Sequence, residues 1–428
     1  MTTVQTVLRF SDHIAGYLGL LNRPFDADAL IRTAHRRTGL RDFGDTSFVG
    51  PLCRLLKSLS EESKLSLVGV NATRWDVVRF LSNLLFIEDR AAHCPTVAQQ
   101  RIDRPIFITG LPRSGTTFLH RLMLMDSENR APRVWETIYP SPRSGSREKR
   151  IRVVEKQLKA FEWLAPEFRS LHPLNAESPQ ECSEITSHVF RSLRFDTTYF
   201  IPSYRHWLDA DVQRHLPGYR FHKRFLQYLQ EQDGVERQWV LKCPEHLFAL
   251  QAIRAVYPDA RIVFVHRDPI RVLLSQSRLT EELRRPFTRQ LDPKTLGADE
   301  SNRWLDGCQR MMTAAEDGGF QDPICHVHHI DLITDPVATV ESVYRHFGMT
   351  LPDAVAGRIA QRAKAQPKGG YGEHHYEFED HGLNEAEEQE KFRPYMIHFG
   401  ITSESGSTVR PASRVQTVAT RDEHSLQS

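Results

Sequence analysis

The chain has 428 residues, 40% hydrophobic and 26% charged, enough for a substantial core and for two or three domains of roughly 100–200 residues each. Its 56 Lys and Arg nearly balance 54 Asp and Glu, so no whole-molecule field points to nucleic acid or an anionic membrane, and any anion site has to be local. Six cysteines (Cys53, Cys94, Cys182, Cys243, Cys308, Cys325) show no CxxC spacing, and the amino-terminal stretch lacks a basic segment followed by a long apolar one, which predicts a reduced, cytoplasmic setting. No apolar run approaches the roughly 18 residues of a spanning helix; this excludes a transmembrane segment and leaves surface association with a membrane open.

Residues 1–100 read as helical, with apolar positions recurring at three and four in "DADALIRTAHRRTGL", "VGPLCRLLKSLSEESKLSL" and "TRWDVVRFLSNLLFIEDR", and with Asn71 and Thr73 as candidate N-caps of the last. After Arg104 and Pro105, "IFIT" is a short buried strand, and "TFLHRLMLM" has the length and spacing of a helix. Residues 141–236 carry mixed helical patterns and many aromatics (Phe161, Trp163, Phe168, Phe190, Phe195, Tyr199, Phe200, Tyr204, Trp207), a natural place for substrate contacts and equally for core. A second strand and helix alternation follows: "QWVLK", "PEHLFALQAIRAVYPD", "ARIVFVHRDP" and "IRVLLSQSRLTEELRR". "PICHVHHIDL" then reads as a strand and "DPVATVESVYRHFGM" as a helix, residues 366–380 as loop, and the polar residues from Thr402 as a disordered tail. Short apolar strands alternating with helices predict an α/β fold: a central parallel sheet with helices on both faces, in a domain over 101–400, preceded by an N-terminal helical subdomain over 1–100 and followed by a tail over 401–428.

One stretch carries chemistry. In Phe107–Leu119, "FITGLPRSGTTFL", a strand runs through Gly110 and Gly115 into a helix, which aims backbone N–H groups and the positive helix end at one point and suits phosphate. A nucleoside triphosphate loop, G-x-x-x-x-G-K-[ST], needs a lysine that reaches the β- and γ-phosphates and a hydroxyl on Mg²⁺. Here Thr116 stands in the place of that lysine, and the nearest cation is Arg113 inside the loop.

"ITGLPRSGTTFLHRL" resembles the 5′-phosphosulfate loop of sulfotransferases that use 3′-phosphoadenosine 5′-phosphosulfate (PAPS). "VFVHRDPIRVLLSQ" is similar to the same family's 3′-phosphate motif, an Arg at a strand end and a Ser eight residues later, here Arg267 and Ser275. Further segments ("RTGLRDFGDTSF", "RAPRVWETIYPSP", "ESPQECSEI", "WVLKCPEHL", "YEFEDHGL") resemble a bacterial subfamily with an N-terminal helical extension, over about residues 25–400. The resemblance implies sulfuryl transfer from PAPS, without a metal, to a hydroxyl of a small-molecule, lipid or carbohydrate acceptor. It implies that Arg113 contacts the bridging and sulfuryl oxygens and that Ser114, Gly115, Thr116 and Thr117 hold the 5′-phosphate. Arg267 and Ser275 would hold the 3′-phosphate, and Lys368 in "PKGGYG" would close over it.

A base is also expected. His246, four residues after Lys242 and 21 before Arg267, lies near the place where cytosolic sulfotransferases carry their catalytic His, and Lys242 would then sit near the bridging oxygen. Glu136 in "VWET" is the second candidate, since several carbohydrate and protein sulfotransferases resemble this layout; His246 is preferred. The competing readings are plain: a helix-capping turn for Arg113 to Thr117, packing for His246, and an ion pair for Glu136. "CHVHHID" does not read as a metal site, because strand alternation puts Cys325, Val327 and His329 on one face and His326 and His328 on the other. Competing classes are a P-loop nucleotide kinase, which needs Mg²⁺ and ATP, and a nucleotide-binding protein without turnover.

Overall fold

The computed structural model describes residues 12–17, 19, 21, 23–365 and 377–404. Among these residues five strands make one all-parallel sheet: β1 (Ile106–Gly110), β2 (Asn129–Arg130), β3 (Gln238–Lys242), β4 (Arg261–His266) and β5 (Cys325–His328), in the order β2-β3-β1-β4-β5. β1 is fully buried and lies between β3, with Ile108 opposite Lys242, and β4, with Gly110 opposite Val265. The carboxyl ends of β3, β1 and β4 therefore meet side by side, which is where ligand crevices form in open parallel sheets.

Alternation along the strands divides the core in two. Ile106, Ile108, Val240, Val263, Val265, Cys325 and Val327 face Leu119, Leu122 and Met123 of the helix Thr116–Met123, together with Val340, Val343 and Tyr344 of the helix Pro336–His346. Phe107, Trp239, Leu241, Ile262 and Phe264 face the other way, onto Phe225 and Leu229 of the helix Leu216–Asp233, Val272 and Leu273 of the helix Pro269–Arg284, and Trp304 and Met311 of the helix Pro293–Asp317. Helices thus cover both faces, the arrangement a parallel sheet requires.

The N-terminal region is helical, in Ala27–Thr38, Val49–Glu61 and Leu67–His93, and Leu30, Leu52, Leu55, Phe80 and Leu84 bury into the same apolar cluster as the second sheet face. The long helix begins earlier than Asn71 and Thr73 suggest. Ser66 is its N-cap, its hydroxyl accepting from Gly69 N at 3.0 Å, because Leu65 is held in a bridge to Thr288 and keeps Ser66 extended. Asn71 instead donates from within the helix to Leu67 O at 2.9 Å.

Three other local differences matter. β5 ends at His328, and His329–Thr334 is a helix that tucks Leu332 beneath the glycine loop, so His329 does not share a strand face with Cys325 and Val327. "PEHLFA" is a 3₁₀ turn over Pro244–Ala249 before the α-helix Leu250–Val256, not one continuous helix. Most of the middle-segment aromatics are core: Phe190, Phe195 and Tyr204 are buried among the helices, whereas Trp163 is exposed.

Candidate active site

β1 ends at Gly110, whose φ is 145° and where a Cβ would sit 2.3 Å from Val265 O on β4; only glycine lets the two strands approach so closely at this edge. The chain then turns through Arg113, a non-glycine residue at φ 61°, and Gly115, at φ 98°, into the helix Thr116–Met123. The left-handed Arg113 is held at both ends of its side chain. Its Nε donates to Ser275 Oγ at 3.0 Å and its Nη1 to Leu171 O at 2.8 Å, while its backbone O accepts from Arg267 Nη1 at 2.8 Å. Such backbone strain persists where surrounding contacts over-determine it.

Gly115 supplies no side-chain cap to the helix. Ser114 is fully buried, and its Oγ has no hydrogen-bond partner among the described residues. A helix start with uncapped N–H groups and an orphaned hydroxyl fits a bound oxyanion.

The two halves anticipated from sequence are therefore bonded to each other: the loop after β1 and the Arg267/Ser275 pair after β4. Arg267 follows the last residue of β4, and Asp268 caps the next helix by accepting from Ile270 N at 2.9 Å. Ser275 lies two turns along that helix, on the side of the loop.

On the other side of β1, Lys242 ends β3 with 4% of its side chain exposed, and its Nζ donates to Glu181, whose side chain is 30% exposed. Burial pushes the Glu181 carboxyl up, but Lys242, His172 and His120 prevail and hold it below the usual range. His172 is pushed down to about 4 by burial, with Lys242, Arg113 and Arg121 adding to the effect and Glu181 opposing it. The field of this cluster thus reaches the loop. Thr109 Oγ1, donating to Cys243 O at 3.0 Å, ties the ends of β1 and β3 together.

The two anticipated bases are both buried. His246 has 1% of its surface exposed and sits on the 3₁₀ turn behind β1, edge-on to Phe107, with Nδ1 2.6 Å from Tyr219 Oη; burial holds it neutral, far below the usual imidazole range. Glu136, also buried, closes a capping box by accepting from Arg133 N at 2.8 Å and lies 3.8 Å from Arg130. Both side chains are buried; the 3₁₀ turn packs the His246 ring against Phe107 and Tyr219, and its Nε2, like Ser114 Oγ, has no hydrogen-bond partner among the described residues. Lys368 lies outside the described residues.

Among the described residues there is no group of three or more His, Cys, Asp or Glu that could hold a metal, and no helix is long and apolar enough to cross a membrane. A groove of about 1070 Å³ lined by Lys64, Phe200, Arg284 and Arg289 includes neither the loop after β1 nor Arg267, Ser275, Lys242 or Glu181; it lies at the far end of the helix Pro269–Arg284.

The model of the sulfotransferase family matches residues 105–353, more than half of the chain and all five strands. The chain belongs to the sulfotransferase family. A curated relative, the omega-hydroxy-beta-dihydromenaquinone-9 sulfotransferase Stf3 of Mycobacterium bovis, is 26% identical over 261 residues, 58% of this chain and 63% of the relative; Stf3 of Mycobacterium tuberculosis matches equally. The chain thus spans less than two thirds of the length of these relatives. Among solved structures, sulfotransferase STF1 from Mycobacterium tuberculosis is 31% identical with a TM-score of 0.75, covering 87% of this chain and 99% of that one. STF9 from Mycobacterium avium, 23% identical with a TM-score of 0.79 over 89% of this chain and 100% of that one, shares the fold.

Within this sulfotransferase-family chain, the residue that sequence reasoning left without a role is Glu181. Its only signal was its place in "ESPQECSEI", and nothing local links it to Lys242, 61 residues away.

Proposed function

We propose that this chain transfers a sulfuryl group from PAPS to a hydroxyl of an apolar, lipid-like acceptor. The observation that carries the reading is the bonded cluster of Arg113, Ser275 and Arg267 at the carboxyl ends of neighbouring β1 and β4. Two oxyanion sites linked through one arginine suit a ligand with phosphates on both the 5′- and 3′-oxygens of one ribose, and a nucleoside triphosphate has no use for the second.

In this reading the amides and hydroxyls of Ser114, Gly115, Thr116 and Thr117 hold the 5′-phosphate, and Arg267 and Ser275 hold the 3′-phosphate. As the acceptor oxygen bonds to sulfur, the bond from sulfur to the bridging oxygen breaks and its electron pair stays on that oxygen. Arg113 and Lys242 meet the growing charge. The acceptor proton passes to Glu181, which is ionised, partly exposed and beside Lys242, whereas His246 and Glu136 are buried. When Lys242 turns to the bridging oxygen, Glu181 loses the partner that depresses its proton affinity and becomes a better base at that step.

Two features support an apolar acceptor. Phe161, Ala165, Phe168, Leu171, Leu279 and Leu283 form an apolar cluster beside the cleft, with Leu171 bonded to Arg113 and Leu279 one turn beyond Ser275. The Stf3 relatives are named for a menaquinone-derived substrate.

The test is PAP release from PAPS with a hydroxylated isoprenoid quinone, a long-chain alcohol and a monosaccharide as separate acceptors. Turnover with the quinone or the alcohol is expected; turnover with the monosaccharide alone would contradict the acceptor class, and hydrolysis of ATP in its place would contradict the donor.

A further inference from the structure

The chain after the last helix of the described residues returns to the site. The helix Glu385–His398 is anchored beside β4, with Tyr395 Oη 2.9 Å from His266 Nδ1 and the Phe399 ring stacked on His266 at 4.2 Å. Gly400, at φ 63°, turns the backbone, and Ile401 N donates to Met396 O at 2.8 Å. This delivers Glu404 to Arg267. Its two carboxylate oxygens accept from Arg267 Nε and Nη2, both at 2.9 Å, its backbone N donates to Asp268 Oδ2 at 2.8 Å, and its backbone O accepts from Arg271 Nη2 at 3.3 Å. His329 Nδ1 lies 3.7 Å from the carboxylate.

We infer that Glu404 occupies the subsite of the donor's 3′-phosphate and has to leave before that phosphate binds. The inference rests on the assignment of Arg267 to the 3′-phosphate made above. A carboxylate across the Nε and Nη2 edge of a guanidinium uses the same two in-plane N–H bonds that two phosphate oxygens use, so both anions cannot hold that edge at once. If Glu404 stayed, the phosphate would meet a like charge at contact distance. The segment Ile401–Glu404 is therefore a strap fastened on the arginine that the donor needs, and the cost of unfastening it is subtracted from donor affinity. A nucleotide with a free 3′-hydroxyl does not contest Arg267 and escapes that cost. Glu404 thus weakens binding of 3′-phosphorylated ligands in particular and ties donor entry to release of residues Ile401–Glu404.

The experiment is calorimetry on the full chain, wild type against Glu404→Ala and Glu404→Gln, with PAP and adenosine 5′-phosphosulfate as probes and Arg267→Ala as the control. Both Glu404 variants should bind PAP more tightly, by about fivefold for a partly exposed ion pair, with affinity for adenosine 5′-phosphosulfate unchanged. If wild type binds PAP and Arg267→Ala weakens it, yet neither Glu404 variant tightens PAP, the strap is overturned and the donor site stands. Equal tightening of both ligands also overturns the strap, because the effect would not be specific to the 3′-phosphate. If Arg267→Ala leaves PAP binding unchanged, the 3′-phosphate assignment itself falls, and the strap with it.

Discussion

Glu181→Gln should lower kcat by about 10²–10⁴, the usual contribution of a positioned general base, while leaving the affinity for PAP near wild type. The substitution removes the proton acceptor and keeps the shape. It also leaves the buried Lys242 without its anion, so a lowered melting temperature is expected, and Glu181→Asp, which restores the charge, should recover part of the turnover and of the stability. The pH profile separates a base from a merely structural partner. Because the free protein holds Glu181 ionised below the usual carboxylate range, the acid limb of kcat/KM should fall below the ordinary Glu value of about 4.3 and disappear in the glutamine variant. Glu136→Gln, which loosens a helix cap and a contact with Arg130, should keep its turnover. The opposite pattern, with Glu136→Gln inactive and Glu181→Gln active, would remove Glu181 from the mechanism.

Arg113→Ala should lower kcat by about 10²–10³, since removing one preorganised donor at a developing oxyanion costs that much. The loss should extend to donor binding, because Arg113 also fastens the loop to the helix Pro269–Arg284 through Ser275 and to the segment before Glu181 through Leu171. Arg113→Lys keeps the charge and gives up the forked geometry, so it should rescue kcat in part and donor affinity less. Equal loss in Arg113→Lys and Arg113→Ala in turnover would indicate that charge is not what Arg113 contributes.

Much of the frame was legible because it is written locally. The apolar runs of β1, β3 and β4 are bounded by Pro, Gly or charge, and Gly110 and Gly115 mark the two backbone positions that L side chains tolerate poorly. Arg267 and Ser275 sit eight residues apart on a strand end and helix, a spacing that survives folding. What escaped depends on tertiary contacts. The two residues of β2 are too short to form a pattern, and strand order cannot be read from the elements one at a time. His246 was singled out by its spacing from Lys242 and Arg267, and no spacing shows that a 3₁₀ turn packs its ring against Phe107 and Tyr219. Glu181 gained its interest only through Lys242, and Glu404, at the start of an expected tail, only through Arg267. Polar residues in segments without periodicity take their roles from what the fold brings to them.

The most direct measurement is calorimetry of the wild-type chain with PAP, adenosine 5′-phosphosulfate and ATP, each with and without Mg²⁺. A site built for PAPS should bind PAP most tightly, and Mg²⁺ should leave that affinity unchanged. Tighter binding of ATP, or PAP binding that requires Mg²⁺, would contradict the PAPS assignment.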